Sequence, residues 1–385
     1  MSIEIQGRVD DGFGSVADAF QANFQERNEL GAAFALRVGG ELVVDIWGGL
    51  ANKKTGQAWE EDTLQLVFST TKGLAAICLG VLVGEGKVDL DEAVATYWPE
   101  FAANGKEAVT VAQMMSHQAG LAALDEKPTF EDILAVTPMV EALAAQKPLW
   151  EPGTAHGYHA VTYGWLAAEL CRRADGRRMN QILQDEICAP LGVDAWMGLP
   201  EAEEPRVARL QTAGRPTGEE LEFMRKVAGP GTLGGRALTL DGAMLFAGND
   251  LPWNTREVHA TEMPGANGIT NARSLATIYA ATIGEINGVR LFDDATVQAF
   301  RTEQTRGPDE CLVAETRYAV GFWLDNELSP MLGAGSFGHP GAGGSLGYAD
   351  PEAGVGFGYV MNQMGGGIAG DPRAIALNDA VRRCL

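Results

Sequence analysis

Apolar residues at helical spacing (Val16, Ala19, Phe20, Phe24) predict a helix over 15–28. Two apolar, β-branched runs follow, Ala32–Val38 and Leu42–Trp47. The turn Gly39-Gly40 joins them, which predicts a hairpin. A strand-like run, Leu64–Phe68, leads into an Ala-rich apolar segment (Leu74 to Val83) that predicts a buried helix. From about 107 to 200 the spacing is mostly helical, over 109–116, 130–145, 161–174 and 178–188, punctuated by Pro128, Pro138, Pro148, Pro152-Gly153 and Pro190. The stretch 200–265 reads as irregular. It carries Pro205, Pro216, Gly229-Pro230-Gly231 and Gly234-Gly235 with scattered aromatics (Phe223, Phe246, Trp253), the pattern of a lid, a substrate wall or a decorated surface loop. Helical spacing returns at 271–284. Strands are then expected at Tyr318–Leu324, Ser345–Tyr348 and Val355–Met361, and a short helix at 373–383.

Strands therefore occupy both ends and helices the middle. This predicts an α+β fold in which the two strand groups pair into one antiparallel sheet, covered by a helix pair from the termini. One catalytic domain, 1–385, is expected, with an α/β lobe from about 1–105 and 270–385. A helical lobe and lid region would span about 106–269.

Charge narrows the partners. A formal net charge of −22 disfavours nucleic acid and anionic membranes, both of which would be repelled. The five cysteines are widely spaced with no C-x-x-C, and the five histidines show no H-E-x-x-H, so neither a zinc site nor another metal or cofactor is expected. Met1 to Asp11 lacks a basic region followed by an apolar stretch, and no run of 18 apolar residues occurs; a cytoplasmic protein is the expectation. Oligomeric state is not readable.

The chemistry centres on Ser69-Thr70-Thr71-Lys72. If a helix begins here, the i, i+3 spacing sets the Lys72 amine beside the Ser69 hydroxyl, an arrangement that activates serine without histidine. With eight serines and eight lysines, chance gives roughly 0.2 such spacings, and this is the only one. The plainer alternative is a helix cap at Ser69 with a solvated Lys72. A cation at the positive end of a helix dipole, among apolar neighbours, fits that alternative poorly.

Two later segments add groups. Trp150 to Ala160 brings Tyr158 and His159 in front of a helix. Beside a lysine ammonium, Tyr158 would have a lowered pKa and act as base and then acid; the alternative is a packing tyrosine. Gly338-His339-Pro340-Gly341-Ala342 is a small-residue strand end where a backbone N–H could join that of Ser69 in an oxyanion hole.

In this order, Ser-x-x-Lys, Pro152-Gly153-x(4)-Tyr158 and a late triplet resemble the serine β-lactamase and penicillin-binding protein superfamily. Its class C-like branch and the family VIII carboxylesterases are most similar. Met114 to Leu121 resembles that branch's "LLSHTSGL" stretch, in which Ser116 and His117 would be structural. The resemblance runs from about residue 15 to 383. It implies Ser69 as nucleophile, Lys72 as its activator, Tyr158 as general base and acid, and the N–H groups of Ser69 and Ala342 as oxyanion donors. His339, Gly341 and His159 are the expected substrate contacts.

The departures from the β-lactamase pattern bear on substrate. The Lys-Thr-Gly triplet is His339-Pro340-Gly341 here, and no lysine follows Lys226; Ala160 stands where the Tyr-x-Asn box has its amide. Such a site has lost carboxylate-holding groups and suits neutral small-molecule esters, with short acyl chains favoured. β-Lactam, D-amino-acid peptide or amide hydrolysis and acyl transfer are alternatives on the same residues, and a non-enzymatic scaffold is the alternative of another class. Two decoys are set aside. Gly343-Gly344-Ser345-Leu346-Gly347 matches G-x-S-x-G, but no histidine follows His339 to complete a triad in that order. Gly333 to Gly338 matches G-x-G-x-x-G but does not open an apolar helix.

Overall fold

The computed structural model of the chain describes residues 3–214, 218–244 and 251–385. Pro216 and Phe246, read above as part of an irregular stretch, lie outside the described residues.

The hairpin forms as its sequence predicts. Strands β2 (Gly31–Val38) and β3 (Glu41–Asn52) are joined at Gly39 and Gly40, whose φ values of 57° and 89° match a tight turn that twists with the strands. A first strand, β1 (Ile5–Val9), adds antiparallel to β3. It escaped the sequence reading because Gln6-Gly7-Arg8 interrupts the apolar pattern. On the other side, β2 pairs antiparallel with Val355–Met361, from Val38↔Val355 to Ala32↔Met361. The sheet continues through Leu346–Asp350, Phe337–Pro340, Trp323–Leu324 and Glu315–Tyr318 to Thr305–Pro308. The N- and C-terminal strand groups thus form one antiparallel sheet.

Helices cover both faces. The N-terminal helix α1 (Gly14–Glu26) lies beside the C-terminal helix (Pro372–Cys384), tied by Asn23 Nδ2 to Arg373 O at 3.3 Å. The helix Ala272–Ile283 packs on Val355–Met361, where two glycines let the backbones approach closely. A Cβ on Gly356 would stand 2.3 Å from Ala276 O, and one on Gly358 2.2 Å from Ala272 O. Helix α2 (Thr70–Gly84) is the central buried element, its side chains from Thr70 through Gly80 all inaccessible to solvent.

Elsewhere the structure corrects the sequence reading. The run Tyr318–Leu324 is two strands, turned at Gly321 with φ 73° and closed by Ala319 N–H to Phe322 O at 2.9 Å. The helix expected over 130–145 breaks into Phe130–Ala135 and Thr137–Ala145 at Val136, whose φ is 65°, two residues before Pro138. The stretch 200–265 is not irregular throughout. It holds helices at Gly218–Ala228, Leu233–Thr239 and Arg256–Ala260, where polar faces hid the period. The strand expected at Leu64–Phe68 is only Gln65–Leu66, paired with Ile269–Thr270 in a separate small sheet. Among the described residues no helix is long and apolar enough to cross a membrane.

An ionic cluster pins the C-terminal helix beneath the sheet. Arg373 donates to Glu29 at 3.0 Å, to both oxygens of Asp371, and to the backbone oxygens of Gly343 (2.7 Å) and Gln363 (2.8 Å); Tyr359 also donates to Glu29. The Arg373 and Glu29 side chains are 4% and 0% exposed. Removing one partner strands the other charge in the interior. Arg373→Ala is expected to lower unfolding free energy by about 3–5 kcal/mol, read from urea melts against wild type.

Candidate active site

Ser69 stands at the mouth of α2 with helical dihedrals (φ −66°, ψ −12°) and makes no side-chain capping bond. Its hydroxyl is therefore not used as a cap, which removes the plainer of the two readings above. The turn delivering it is unusual. Phe68 has φ 45°, a left-handed conformation uncommon for a bulky residue. Tertiary bonds hold it there. Val67 N–H donates to Gly268 O at 2.9 Å, Gly268 N–H donates to Thr71 Oγ1 at 2.8 Å, and Thr71 Oγ1 donates to Phe68 O.

Lys72 lies one turn further on and is fully buried. Its Nζ contacts Ser69 Oγ at 3.0 Å and the carbonyl oxygens of Ala160 and Gly265, each at 2.6 Å. Burial alone pushes the Lys72 amine well below its ordinary pKa. A neutral amine has two hydrogens and one lone pair. In that neutral form the two carbonyls, which only accept, would take both hydrogens and leave the lone pair for the Ser69 hydroxyl. Ala160, where the family pattern has an amide side chain, thus contributes through its backbone.

Tyr158 sits opposite, hydrogen-bonded to Ser69, with Lys72 Nζ 4.9 Å from its ring centroid. The expected lowering of its pKa is not found. Burial raises the phenol, and the bond to Ser69 only partly offsets that. The negative charge of Asp309 adds to the rise. Aromatic walls fix the ring: Tyr318 stacks at 6.5 Å and 8°, and His117, Trp323 and His339 stand 5.1–6.0 Å away, centroid to centroid.

The strand end Phe337–Pro340 closes the third side. Gly341 presses against the start of α2, where an added Cβ would stand 2.3 Å from Val67 O and 2.2 Å from Ser345 Oγ. Its N–H donates to Ser345 O at 2.7 Å. Gly341 therefore permits close packing at this corner of the site. Ala342 follows at once. Among the described residues neither its N–H nor that of Ser69 has a protein acceptor, which suits both to an incoming oxyanion.

The histidines divide. His159 is fully buried; its Nδ1 donates to Gly157 O at 2.6 Å and its Nε2 accepts from Leu121 N–H at 2.9 Å. With both ring nitrogens committed to backbone, it is a structural brace and not the substrate contact expected above. His117 Nδ1 accepts from His159 N–H at 3.1 Å. His339 donates from Nδ1 to Pro340 O at 2.7 Å, so its buried Nε2, beside Tyr158, keeps a lone pair with no partner among the described residues. The decoy Ser345 is tied to Val67 O at 2.8 Å and to the Thr70 hydroxyl at 3.1 Å.

A family model described as Beta-lactamase matches residues 16–381. The chain belongs to the beta-lactamase family. Among curated members, "Esterase/beta-lactamase LipL" of Mycobacterium tuberculosis is 35% identical over 93% of this chain and 83% of its own. Among solved beta-lactamase-like structures, a family VIII carboxylesterase superposes with TM-score 0.89 and 40% identity, covering 99% of this chain and 100% of that one. A penicillin-binding protein homologue from Caulobacter crescentus gives TM-score 0.88 and 40% identity with the same coverage. The α+β beta-lactamase-like fold is thereby shared along the length of the chain.

Residues the sequence reading missed include Tyr163, whose ring lies 5.8 Å from Lys72 Nζ, and the Tyr318 and Trp323 walls. Nothing in their spacing marks them. Lys72→Arg places a permanent cation there that cannot present a lone pair, because guanidinium stays protonated. It is expected to lower kcat for any acyl substrate by about 100-fold or more, with labelling of Ser69 by a fluorophosphonate slowed in parallel, as stopped assays would show.

Proposed function

We propose that this protein is a serine hydrolase that cleaves carboxylic esters through an acyl-enzyme on Ser69. The observation that carries the reading is the buried Lys72 Nζ, held by two carbonyls at 2.6 Å and standing 3.0 Å from Ser69 Oγ. The esterase named among its relatives and the family VIII carboxylesterase structure support it.

In this scheme Ser69 Oγ bonds to the ester carbonyl carbon as its proton passes to Lys72. The carbonyl oxygen, now negative, rests on the N–H groups of Ser69 and Ala342. Tyr158, which burial keeps as a phenol, gives its proton to the leaving alkoxide as the carbon–oxygen bond breaks, and recovers one from Lys72. Water then attacks the acyl-enzyme, losing its proton through Tyr158 to the neutral Lys72; as the bond to Ser69 Oγ breaks, Lys72 returns that proton to Oγ, and the carboxylic acid leaves.

Two features argue for esters over β-lactams. The third triplet offers a neutral imidazole, since burial lowers the His339 pKa, and Lys72 itself carries no fixed charge for a lactam carboxylate. Ala342, Met364, Leu251 and Trp253 are partly exposed and pack against the apolar cluster that holds Phe68, and the Trp253 ring stands edge-on to Phe68 at 5.1 Å. Placed beside the residue before the nucleophile, these side chains limit acyl length and favour short chains.

Aryl esters from acetyl to dodecanoyl and a chromogenic cephalosporin, assayed side by side, test the reading. Short aryl esters are expected to turn over fastest, and the cephalosporin slower by about 100-fold or more. Ser69→Ala should abolish turnover, and Tyr158→Phe should lower kcat by about 100-fold. Cephalosporin turnover matching the esters, or an active Ser69→Ala, would overturn it. Trp253→Ala should shift the optimum to longer acyl chains while leaving acetyl-ester kcat within about threefold, since only contact area is lost.

A further inference from the structure

Tyr158 lies on a segment, 151–161, with no helix or strand of its own. Its position therefore depends on tethers. Gly157 N–H reaches His117 O at 3.1 Å and His159 N–H reaches His117 Nδ1 at 3.1 Å. The tether at Tyr158 itself is a carboxylate from a distant hairpin. Asp309, 2% exposed, stands between Thr305–Pro308 and Glu315–Tyr318. Its Oδ1 accepts the backbone N–H groups of Tyr158 (3.0 Å), Cys311 (2.9 Å) and Leu312 (2.9 Å). Its Oδ2 accepts the Tyr318 hydroxyl at 2.9 Å and the Thr316 hydroxyl at 3.3 Å.

All five donors are neutral, and neither oxygen donates, the pattern of an ionised carboxylate satisfied without a counter-charge. A buried charge is costly, and a hairpin turn alone could be closed by the two N–H groups of Cys311 and Leu312. The other three bonds point away from the turn. One seizes the Tyr158 main chain. Another orients Tyr318, whose ring stacks parallel on Tyr158.

We propose that Asp309 is a positioning residue for the proton carrier, aiming the Tyr158 hydroxyl at Ser69 by holding its backbone directly and its ring through Tyr318. The inference rests on the role given to Tyr158 above. Asparagine at 309 would keep one acceptor oxygen but replace the other with an NH2 that clashes with a donor. The Tyr158 loop would loosen, and a displacement of about 1 Å at a reacting group costs on the order of 100-fold in rate.

Asp309 also holds the Tyr158 phenol up by its negative charge. The other ionisable groups around that phenol are Lys72 on α2, His117 after Val111–Met115, Tyr163 on Thr162–Asp175, Tyr318, and His339 on Phe337–Pro340. Of these only Tyr318, bonded to Asp309, also loses the neighbouring charge in the variant. Neutralising Asp309 should therefore move the pH limb set by Tyr158 toward lower pH.

The test compares Asp309→Asn in wild type and in Tyr158→Phe, with active sites counted by fluorophosphonate labelling. In wild type, kcat per labelled site is expected to fall about 10- to 100-fold with KM within about threefold, and the limb to move acidward. In Tyr158→Phe the same change should cost nothing more, because the group it positions is gone. An unchanged kcat per site, or an equal loss in both backgrounds, overturns the inference and leaves Asp309 a structural turn residue. A Tyr158→Phe enzyme as active as wild type overturns the Tyr158 assignment itself, and this inference with it, and is read from that variant alone. Should Asp309→Asn fail to fold, Tyr318→Phe removes one donor and keeps the stacked ring. It should then lower kcat several-fold in wild type and leave kcat of Tyr158→Phe unchanged; any other pair of results overturns the inference.

Discussion

Burying the Lys72 amine in the body of the protein costs free energy that an exposed lysine never meets, and much of the site is arranged around meeting that cost. Two carbonyls from segments far apart in the chain, Ala160 and Gly265, converge on Nζ. Neither would have reason to point inward otherwise. Burial depresses the pKa of that amine and so favours the neutral form that proton acceptance requires. Burial likewise holds the proton on Tyr158, with the bond to Ser69 only a partial offset. Desolvation thus disfavours charge on both side chains.

Around that nitrogen, the turn at Phe68 and the loop at Gly341 are locked together by hydroxyls. Ser345 binds Val67 O and meets Thr70, while Gly341 N–H binds Ser345 O. The serine that mimics a nucleophile elbow is a rivet between the last strands and the start of α2. Arg373 adds a second fastening by gripping Gly343 O, one residue past Ala342. The two N–H groups offered to an oxyanion are carried by backbone that cannot drift apart without breaking buried polar bonds.

What could be read from the chain follows from where the physical signal lay. The hairpin, α2 and the strand Val355–Met361 were legible because one Gly-Gly turn and long apolar runs speak locally. Ser69 and Lys72 were legible because one helical turn joins them. Tyr318–Leu324 misled because an unbroken apolar run hides a turn whose only local mark is Gly321. His159 misled because its two backbone partners, Gly157 and Leu121, are invisible until the loops are folded. Asp309 was silent for the same reason. Its donors come from residues 158, 311, 312, 316 and 318, and no spacing rule links them.

The seam between β2 and Val355–Met361 carries a different consequence. Val38 pairs with Val355, so the partner of the hairpin's inner edge is 317 residues further along (355 − 38). During synthesis the hairpin leaves the ribosome with an unpaired, apolar strand edge long before its mate exists. Closure of the sheet is a late, non-local event with a high loop-closure entropy. Until it happens the nascent chain presents a template for pairing with other chains. The order of translation thus leaves that edge without its own partner strand for most of the synthesis of the chain.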